Sequence, residues 1–303
     1  MKNLLKTIPI PICGLILAIL TLGNLLEEYI PEARIICGTI GFLFLLIIFA
    51  KIISFPREII EEIKNPIIAS ISGTFLMALI VLSTYIIPFN KDLGFILWIF
   101  AIIAFIALIV YFTLRFIFNL ELKNTYASYY IVYIGIAIAS VTAPVHNQEL
   151  IGQIIFYFSS ISFILLLILT SYRYLKLETP DQFKPLICIN AAPFSLLLLG
   201  YLKSFNIYSH EFILFMLIFA VIFYIFSLYK LFEYRNLPFY PSFAAFSFPF
   251  VVSAFCMKEA NKYFISLGMN LEILNLLTVI EIIIATVLVI YVLIRYLKFL
   301  AEN

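Results

Sequence analysis

Charge is what this sequence has least of. Of 303 residues only 12% are Asp, Glu, Lys or Arg, about half the share of a soluble domain. With 64% of residues apolar and a mean hydropathy of +1.13, that scarcity excludes a water-soluble globule. No polar stretch between apolar segments is long enough to build a large extramembrane enzyme domain. Excess of one sign is missing too, and a net charge of +2 argues against a nucleic-acid partner. Asp and His are nearly absent: Asp92, Asp181, His146 and His210 are all there are. The His-Glu-x-x-His, Gly-x-Ser-x-Gly and phosphate-loop patterns do not occur. Catalysis needs clustered nucleophiles, acid–base groups or metal ligands, so this composition speaks against an enzyme, and no cofactor is expected. His146 and His210 stand at the outer ends of helices with no second ligand, which makes them poor metal candidates. The four cysteines (Cys13, Cys37, Cys188, Cys256) form no Cys-x-x-Cys pair and say nothing of redox compartment or metal.

What remains is apolar sequence in long runs. Ten can be read, at 8–26, 33–53, 66–87, 93–117, 126–145, 150–171, 185–205, 211–232, 241–264 and 271–294. At about 1.5 Å per residue each can span roughly 30 Å of hydrocarbon as a helix. Transmembrane strands would be shorter and alternate in polarity, and stretches such as Phe42–Ala50 and Ile99–Val110 show no alternation. The expectation is an all-α membrane protein with ten crossings in a single transmembrane domain, 1–303. Lys2 and Lys6 precede the first run as in a signal peptide, but no small-x-small site follows, and the run is expected to be retained.

Orientation follows from the 19 Lys and Arg. Fourteen fall at the N-terminus, in the even-numbered loops or at the C-terminus, among them Lys51, Arg57, Lys64, Arg115, Arg173, Lys176, Lys184, Lys230 and Arg295. The odd-numbered loops hold five, Arg34, Lys91, Lys203, Lys258 and Lys262. Positive charge stays on the cytoplasmic side, so both termini are predicted inside, as an even number of crossings requires. The plasma (inner) membrane is the expected location.

Proline sets a period. Pro9, Pro66, Pro185 and Pro241 open the first, third, seventh and ninth runs at intervals of 57, 119 and 56 residues. One repeat is therefore a helix pair of about 58 residues, and the fifth run starts in phase near Ala127 without the proline. Proline suits the first turn of a helix, where its missing N–H would be unpaired anyway. A second mark follows inside these runs. Gly135, Pro193 and Pro249 come eight residues after Ala127, Pro185 and Pro241; Gly73 comes seven after Pro66, and Gly14 five after Pro9. Eight residues are about 12 Å of helix, close to the bilayer middle. Broken backbone at that depth is tolerated where it is buried in protein or lines a water-filled cavity.

The odd runs also carry small and hydroxyl residues, such as Ser70, Thr74, Ala139, Ser140, Ala191, Ala192, Ala244, Ala245 and Ser247. The even runs are Ile, Leu and Phe almost throughout. Small residues allow close helix approach and bulky ones suit lipid. Five helical hairpins are expected, with the odd helices kinked in an inner ring around a central pore and the even helices outside. Helix packing alone is the plainer explanation of any single small residue.

The cytoplasmic prolines, the five helix pairs and the kinked inner helices together resemble the tellurite-resistance/dicarboxylate transporter family, which includes bacterial TehA and the slow-type anion channels of plant guard cells. The most specific stretch is Phe243-Ala244-Ala245-Phe246-Ser247-Phe248-Pro249, similar to a Trp-Ala-aromatic-Ser/Thr-Phe-Pro segment of that family, with Ala244 where relatives commonly carry Trp. Ile8-Pro9-Ile10-Pro11-Ile12-Cys13-Gly14, running on to Gly23-Asn24, is similar to the opening of bacterial members. The resemblance implies a homotrimer with one pore per subunit, plugged by a phenylalanine that maps onto Phe248. It also implies permeant anions such as chloride, nitrate or malate-like C4-dicarboxylates, and a link to tellurite resistance.

Phe248 lies seven residues into its run, and equivalent depths elsewhere fall at Ile16, Gly73, Ile134 and Ala192. A large ring facing a glycine and an alanine suits a plug, and apolar constrictions can gate by excluding water; plain core packing is the alternative for one of 32 phenylalanines. The expected pore-lining and kink residues are Gly14, Ile16, Gly73, Ile134, Gly135, Ala192, Pro193 and Pro249. No Lys or Arg lies deep in an odd run, so selectivity is expected from backbone N–H groups at the kinks and from hydroxyls. One acid does lie deep: Glu281, in the tenth run. A charged acid there costs roughly 2.5–3.5 kcal/mol, so it is expected protonated or hydrogen-bonded to a neighbouring helix. It is either a proton-coupling site of a proton-linked exporter or a neutral link between helices. Pro56-Arg57-Glu58-Ile59-Ile60-Glu61-Glu62-Ile63-Lys64 is predicted as a short surface helix.

Overall fold

The computed structural model describes residues 2–302, and among them every regular element is helical. In chain order these are α1 (Lys2–Thr7), α2 (Ile12–Leu26), α3 (Pro31–Ser54), α4 (Pro56–Glu62), α5 (Pro66–Ile86), α6 (Lys91–Phe112), α7 (Tyr129–Tyr133), α8 (Ile138–Thr142), α9 (Glu149–Lys176), α10 (Ala192–Ser204), α11 (His210–Tyr234), α12 (Phe248–Ser266) and α13 (Glu272–Glu302). Tighter 3₁₀ stretches join some of them. Gly135–Ala137 links α7 to α8, Asp181–Ala191 leads into α10, and Pro241–Phe246 leads toward α12. The predicted surface helix is α4, with Ile59 and Ile63 half-buried and Ile60 exposed.

Among the described residues, eight helices are long and apolar enough to cross a membrane. Two further apolar helices, Ile12–Leu26 and Gly135–His146, are shorter. Both shortfalls have local causes. Pro9 and Pro11 lack N–H groups, so residues 9–14 close turns instead, with Ile12 N–H donating to Pro9 O at 3.1 Å and Cys13 N–H to Ile10 O at 3.0 Å. The fifth run is split around Gly135 into α7, a 3₁₀ turn and α8. The protein is an all-helical, multi-pass membrane protein.

Burial alternates along the chain. The most apolar windows of Pro66–Ile86, Asp181–Ser204 and Pro241–Ser266 are 78%, 83% and 89% buried, against 28–33% for α3, the α6 span, α9, α11 and α13. α2 is buried over almost its whole length. A helix apolar on all sides sits either in the core or in lipid, and small residues decide which. α5, α8, α10 and α12 carry Ala, Ser and Thr that let neighbours approach, whereas α6 and α9 present Phe, Ile and Leu outward. The buried segments form a closed circuit of contacts: α2 packs on α5, α5 on α7 and α8, α8 on α10, α10 on α12, and α12 returns to α2. Each packs also on the exposed helix that follows it in sequence.

The expected interruptions occur at three of the five depths. The fifth segment breaks at Ile134–Ala137, the seventh changes from 3₁₀ to α at Ala191–Ala192, and the ninth at Ser247. α2 and α5, by contrast, run through Gly14 and Gly73 without interruption. Glycine keeps its N–H and need not break the i→i−4 ladder as proline does. At Gly73 the missing side chain serves close approach instead: a Cβ there would stand 3.0 Å from Ile131 Cγ2 and 3.4 Å from Leu108 Cδ2.

Candidate functional site

The circuit of buried segments surrounds a cavity of about 50 Å³. Every member of the circuit contributes to its wall: Gly14 from α2; Ile71, Thr74 and Met77 from α5; Tyr130, Ile134 and Gly135 from the fifth segment; Ala192, Pro193 and Leu196 from α10; Ala244, Ala245, Phe248 and Pro249 from the ninth. No charged residue lines it. Its few hydroxyls are already engaged. Thr74 Oγ1 donates to Ile71 O at 2.7 Å, Ser242 Oγ to Gln182 O at 2.6 Å, and Tyr130 OH pairs with Thr170 Oγ1 at 2.5 Å. A water needs about 10–15 Å³ of such space, so an anion with its full hydration shell does not fit this cavity. Apolar cavities of that size stay dry.

The local sequence explains why the backbone opens here. Pro249 and Pro193 have no N–H, and their rings exclude the carbonyl four residues back, so an α-helix can begin at Phe248 or Ala192 but cannot run through from upstream. Side chains add hydrogen bonds to carbonyls near the change, where Ala244 O also accepts from Ser247 N–H at 3.1 Å. Ser247 Oγ donates to Ala244 O at 2.6 Å, Ser195 Oγ to Ala191 O at 3.1 Å, and Asn190 Nδ2 to Ile187 O at 2.7 Å. Satisfied carbonyls are what hydrocarbon depth demands. The consequence is electrostatic. α10 and α12 both start on the cavity wall, and aligned peptide dipoles leave partial positive charge at a helix N-terminus, although here Ala192 N–H bonds Ile189 O and Phe250 N–H bonds Ser247 O.

Each residue singled out in the sequence has a definite place. Gly14, Ile134, Gly135, Ala192, Pro193, Phe248 and Pro249 lie on the cavity wall. Ile16 and Gly73 do not. Ile16 lies two residues beyond Gly14, about 200° around the helix, and is buried on the far side; Gly73 faces Ile131 and the α6 side chains Phe105 and Leu108. Ile71, Thr74 and Met77, spaced by three, form the cavity face of α5. The hydroxyl of Thr74 at that spacing was the available signal. Glu281 is buried on α13 beside Ser253 of α12, away from the cavity, and its Oε2 has no partner. His146 stacks on Trp98 with ring centroids 4.9 Å apart and bonds Ser83 Oγ at 2.9 Å, while His210 pairs with Tyr263. Among the described residues no group of His, Cys, Asp and Glu could hold a metal.

Charge gathers where α2, α10 and α12 end. Lys258 is buried, donates to Leu25 O at 2.8 Å and pairs with Glu28 at 3.3 Å; Lys262 also pairs with Glu28, and Lys203 with Glu259 at 2.7 Å. Partial burial pushes the Glu28 carboxyl upward, but the Lys262 and Lys258 ammonium groups outweigh it and hold it below the ordinary 4.5. A depressed carboxylate stabilises the fold fully above its unfolded-state value, and that stabilisation is lost as pH falls through the folded-state one. Thermal stability is therefore expected to fall on acidification below about pH 4.5, and Glu28→Gln to flatten that limb; melts from pH 3 to 7 check it.

A closed circuit of apolar helices around a narrow cavity, with two helix N-termini on its wall, is the build of a membrane transport protein. Residues 8–297 match the family described as SLAC1, voltage-dependent anion channel, and the chain belongs to that family. It is a channel and transporter family and not an enzyme family. Over 167 residues the chain is also 27% identical to a protein described as an uncharacterized transporter from Methanocaldococcus jannaschii, a match covering 50% of this chain and 49% of that one. The chain thus spans about half the length of the curated relative it matches.

Proposed function

We propose that this protein conducts small anions passively through the central cavity, with Phe248 as the gate. The observation that carries the reading is the cavity wall: all five buried segments bound one apolar void, and the Phe248 ring stands on it at the start of α12. Small hydrophobic pores exclude water, so a closed ring on a dry cavity blocks ions without any fixed charge. When the ring moves aside, the N-termini of α10 and α12 favour a negative ion over a positive one. With no cation on the cavity wall to trap it, the anion leaves as readily as it enters. Chloride and nitrate suit such a path best, and malate-like dicarboxylates demand a wider opening.

The reading includes ten crossings as five hairpins, in which Ile12–Leu26 and the broken fifth segment count as spans. Their burial within the contact circuit supports this. It also includes cytoplasmic termini in the plasma membrane, supported by the fourteen-to-five partition of Lys and Arg. It includes too the homotrimer with a pore in each subunit that the resemblance implies.

Flux of chloride and nitrate from proteoliposomes, with and without a pH gradient, tests the proposal. Downhill flux indifferent to the gradient is expected; flux that requires it overturns passive conduction in favour of a proton-coupled exporter. Glu281 is a buried carboxyl with an unpartnered oxygen, and this favours that second reading. Because it lies off the cavity, Glu281→Gln is expected to keep flux within about twofold of wild type. Loss of flux from a protein that still assembles would assign coupling to this carboxyl.

A further inference from the structure

A second cavity, of about 720 Å³, opens at the end of the bundle where α9 and α11 finish and shares no wall residue with the central one. Its shape follows from the divergence of those helices. Near their starts α9 and α11 meet through Phe156 and Phe212, with ring centroids 6.3 Å apart. Toward their far ends they separate, and the Asp181–Ala191 stretch, packed along α11, forms the floor between them.

Three ammonium groups bound the opening: Lys176 from α9, Lys184 from the floor and Lys230 from α11. Lys176 is exposed and makes no ion pair among the described residues. Lys184 pairs with Asp181 at 2.6 Å and Lys230 with Glu233 at 2.8 Å, each one turn along the chain. Solvent-exposed pairs of this kind are weak, so a phosphate can take the place of either carboxylate. The one carboxylate on the wall itself is Glu178. Leu175 and Phe226, also on the wall, are exposed, and beyond them α9 and α11 turn Ile168, Ile222 and Ile225 outward.

We propose that this cavity binds the phosphate headgroup of an anionic membrane lipid, with Lys176, Lys184 and Lys230 around the phosphate and the acyl chains along the outward apolar faces of α9 and α11. Three features point to a lipid. The cavity is a wedge between two lipid-facing helices, its positive groups sit at the helix ends where headgroups lie, and its apolar wall continues into the hydrocarbon-facing surface. Basic pockets between membrane helices on the positively charged side are sites for anionic headgroups.

The purified full-length protein, in neutral detergent, is titrated with phosphatidylglycerol or phosphatidylcholine in mixed micelles, and bound lipid is read by native mass spectrometry. Wild type is expected to retain phosphatidylglycerol about tenfold more strongly, a preference lost in Lys176→Gln/Lys230→Gln. Equal retention of the two lipids by wild type overturns the proposal. So does a preference that survives the double variant, or one lost equally in Arg57→Gln/Lys64→Gln, which removes the same charge beside α4. Displacement of phosphatidylglycerol by millimolar inorganic phosphate would mean that the cavity takes free phosphate, and the lipid assignment fails. If the double variant does not fold, Lys176→Gln alone decides, because that side chain is exposed and unpaired; an unchanged preference there overturns the proposal and a weakened one supports it.

Discussion

Phe248→Ala is expected to raise anion flux through the reconstituted protein by about tenfold. The closed cavity is about 50 Å³ and apolar, so the barrier has two parts, displacing the ring and wetting the space behind it. Forcing a side chain off its rotamer costs about 1 kcal/mol, and tenfold in rate corresponds to about 1.4 kcal/mol. Removing the ring abolishes the first part and joins its volume to the void, which also eases hydration beside the N-termini of α10 and α12. Phe248→Leu is expected to fall between alanine and wild type. Phe250 supplies the contrast. It is fully buried two residues on, packed edge-to-face on Tyr224 at 5.5 Å, and absent from the cavity wall. Phe250→Leu is expected to lower stability and leave flux unchanged. Radiolabelled chloride efflux measures both; an inert Phe248→Ala would remove the gate from this ring.

Arg173→Met is expected to destabilise the protein by about 3 kcal/mol, the largest stability loss foreseen for a single polar side chain here. Arg173 is 1% exposed, at the end of α9. Its guanidinium donates to Thr179 Oγ1 at 2.5 Å and Glu178 O at 3.1 Å, tying the following loop back onto the helix. It also lies over the ring of Tyr126 at 4.1 Å and that of Tyr174 at 5.1 Å. Hydrogen bonds to a charged donor contribute about 1.5–3 kcal/mol, and a desolvated cation–π contact about 2. Methionine keeps most of the apolar stem and loses all of these, so the loss isolates the charge. Thermal unfolding in detergent is the measurement; a midpoint within about 1 °C of wild type would show that the loop holds itself. The same loop forms part of the lipid-headgroup cavity through Glu178 and Thr179, so lipid retention is expected to weaken with it.

The overall build was legible because it follows from one-dimensional facts. Runs of about 20 apolar residues have no stable place except hydrocarbon or a core made within it. Of the recurrent prolines, Pro66 opens α5 and Pro241 a 3₁₀ stretch, where a missing N–H is harmless, whereas Pro9 lies before α2 and Pro185 inside the Asp181–Ala191 stretch. The change of backbone beside Pro193 and Pro249 was readable for the complementary reason. Gly14 and Gly73 were not: both looked like breaks, yet α2 and α5 continue through them, since glycine permits a break without imposing one. Matching residues by depth also placed Ile16 and Gly73 beside Phe248. Depth fixes height along the axis and leaves rotation open, and at about 100° per residue a difference of two positions sends a side chain to the opposite face.

The sequence by itself determined that this protein is a multi-pass helical membrane protein and that Pro193 and Pro249 interrupt the backbone, because hydropathy and a missing N–H act on each segment alone. Only the tertiary structure decided which face of each helix looks inward, that Thr74 and Met77 meet Pro193 and Phe248 across one void, and that α9 and α11 part over three lysines. Those relations depend on rotation and packing between segments far apart in the chain, and no single segment carries them.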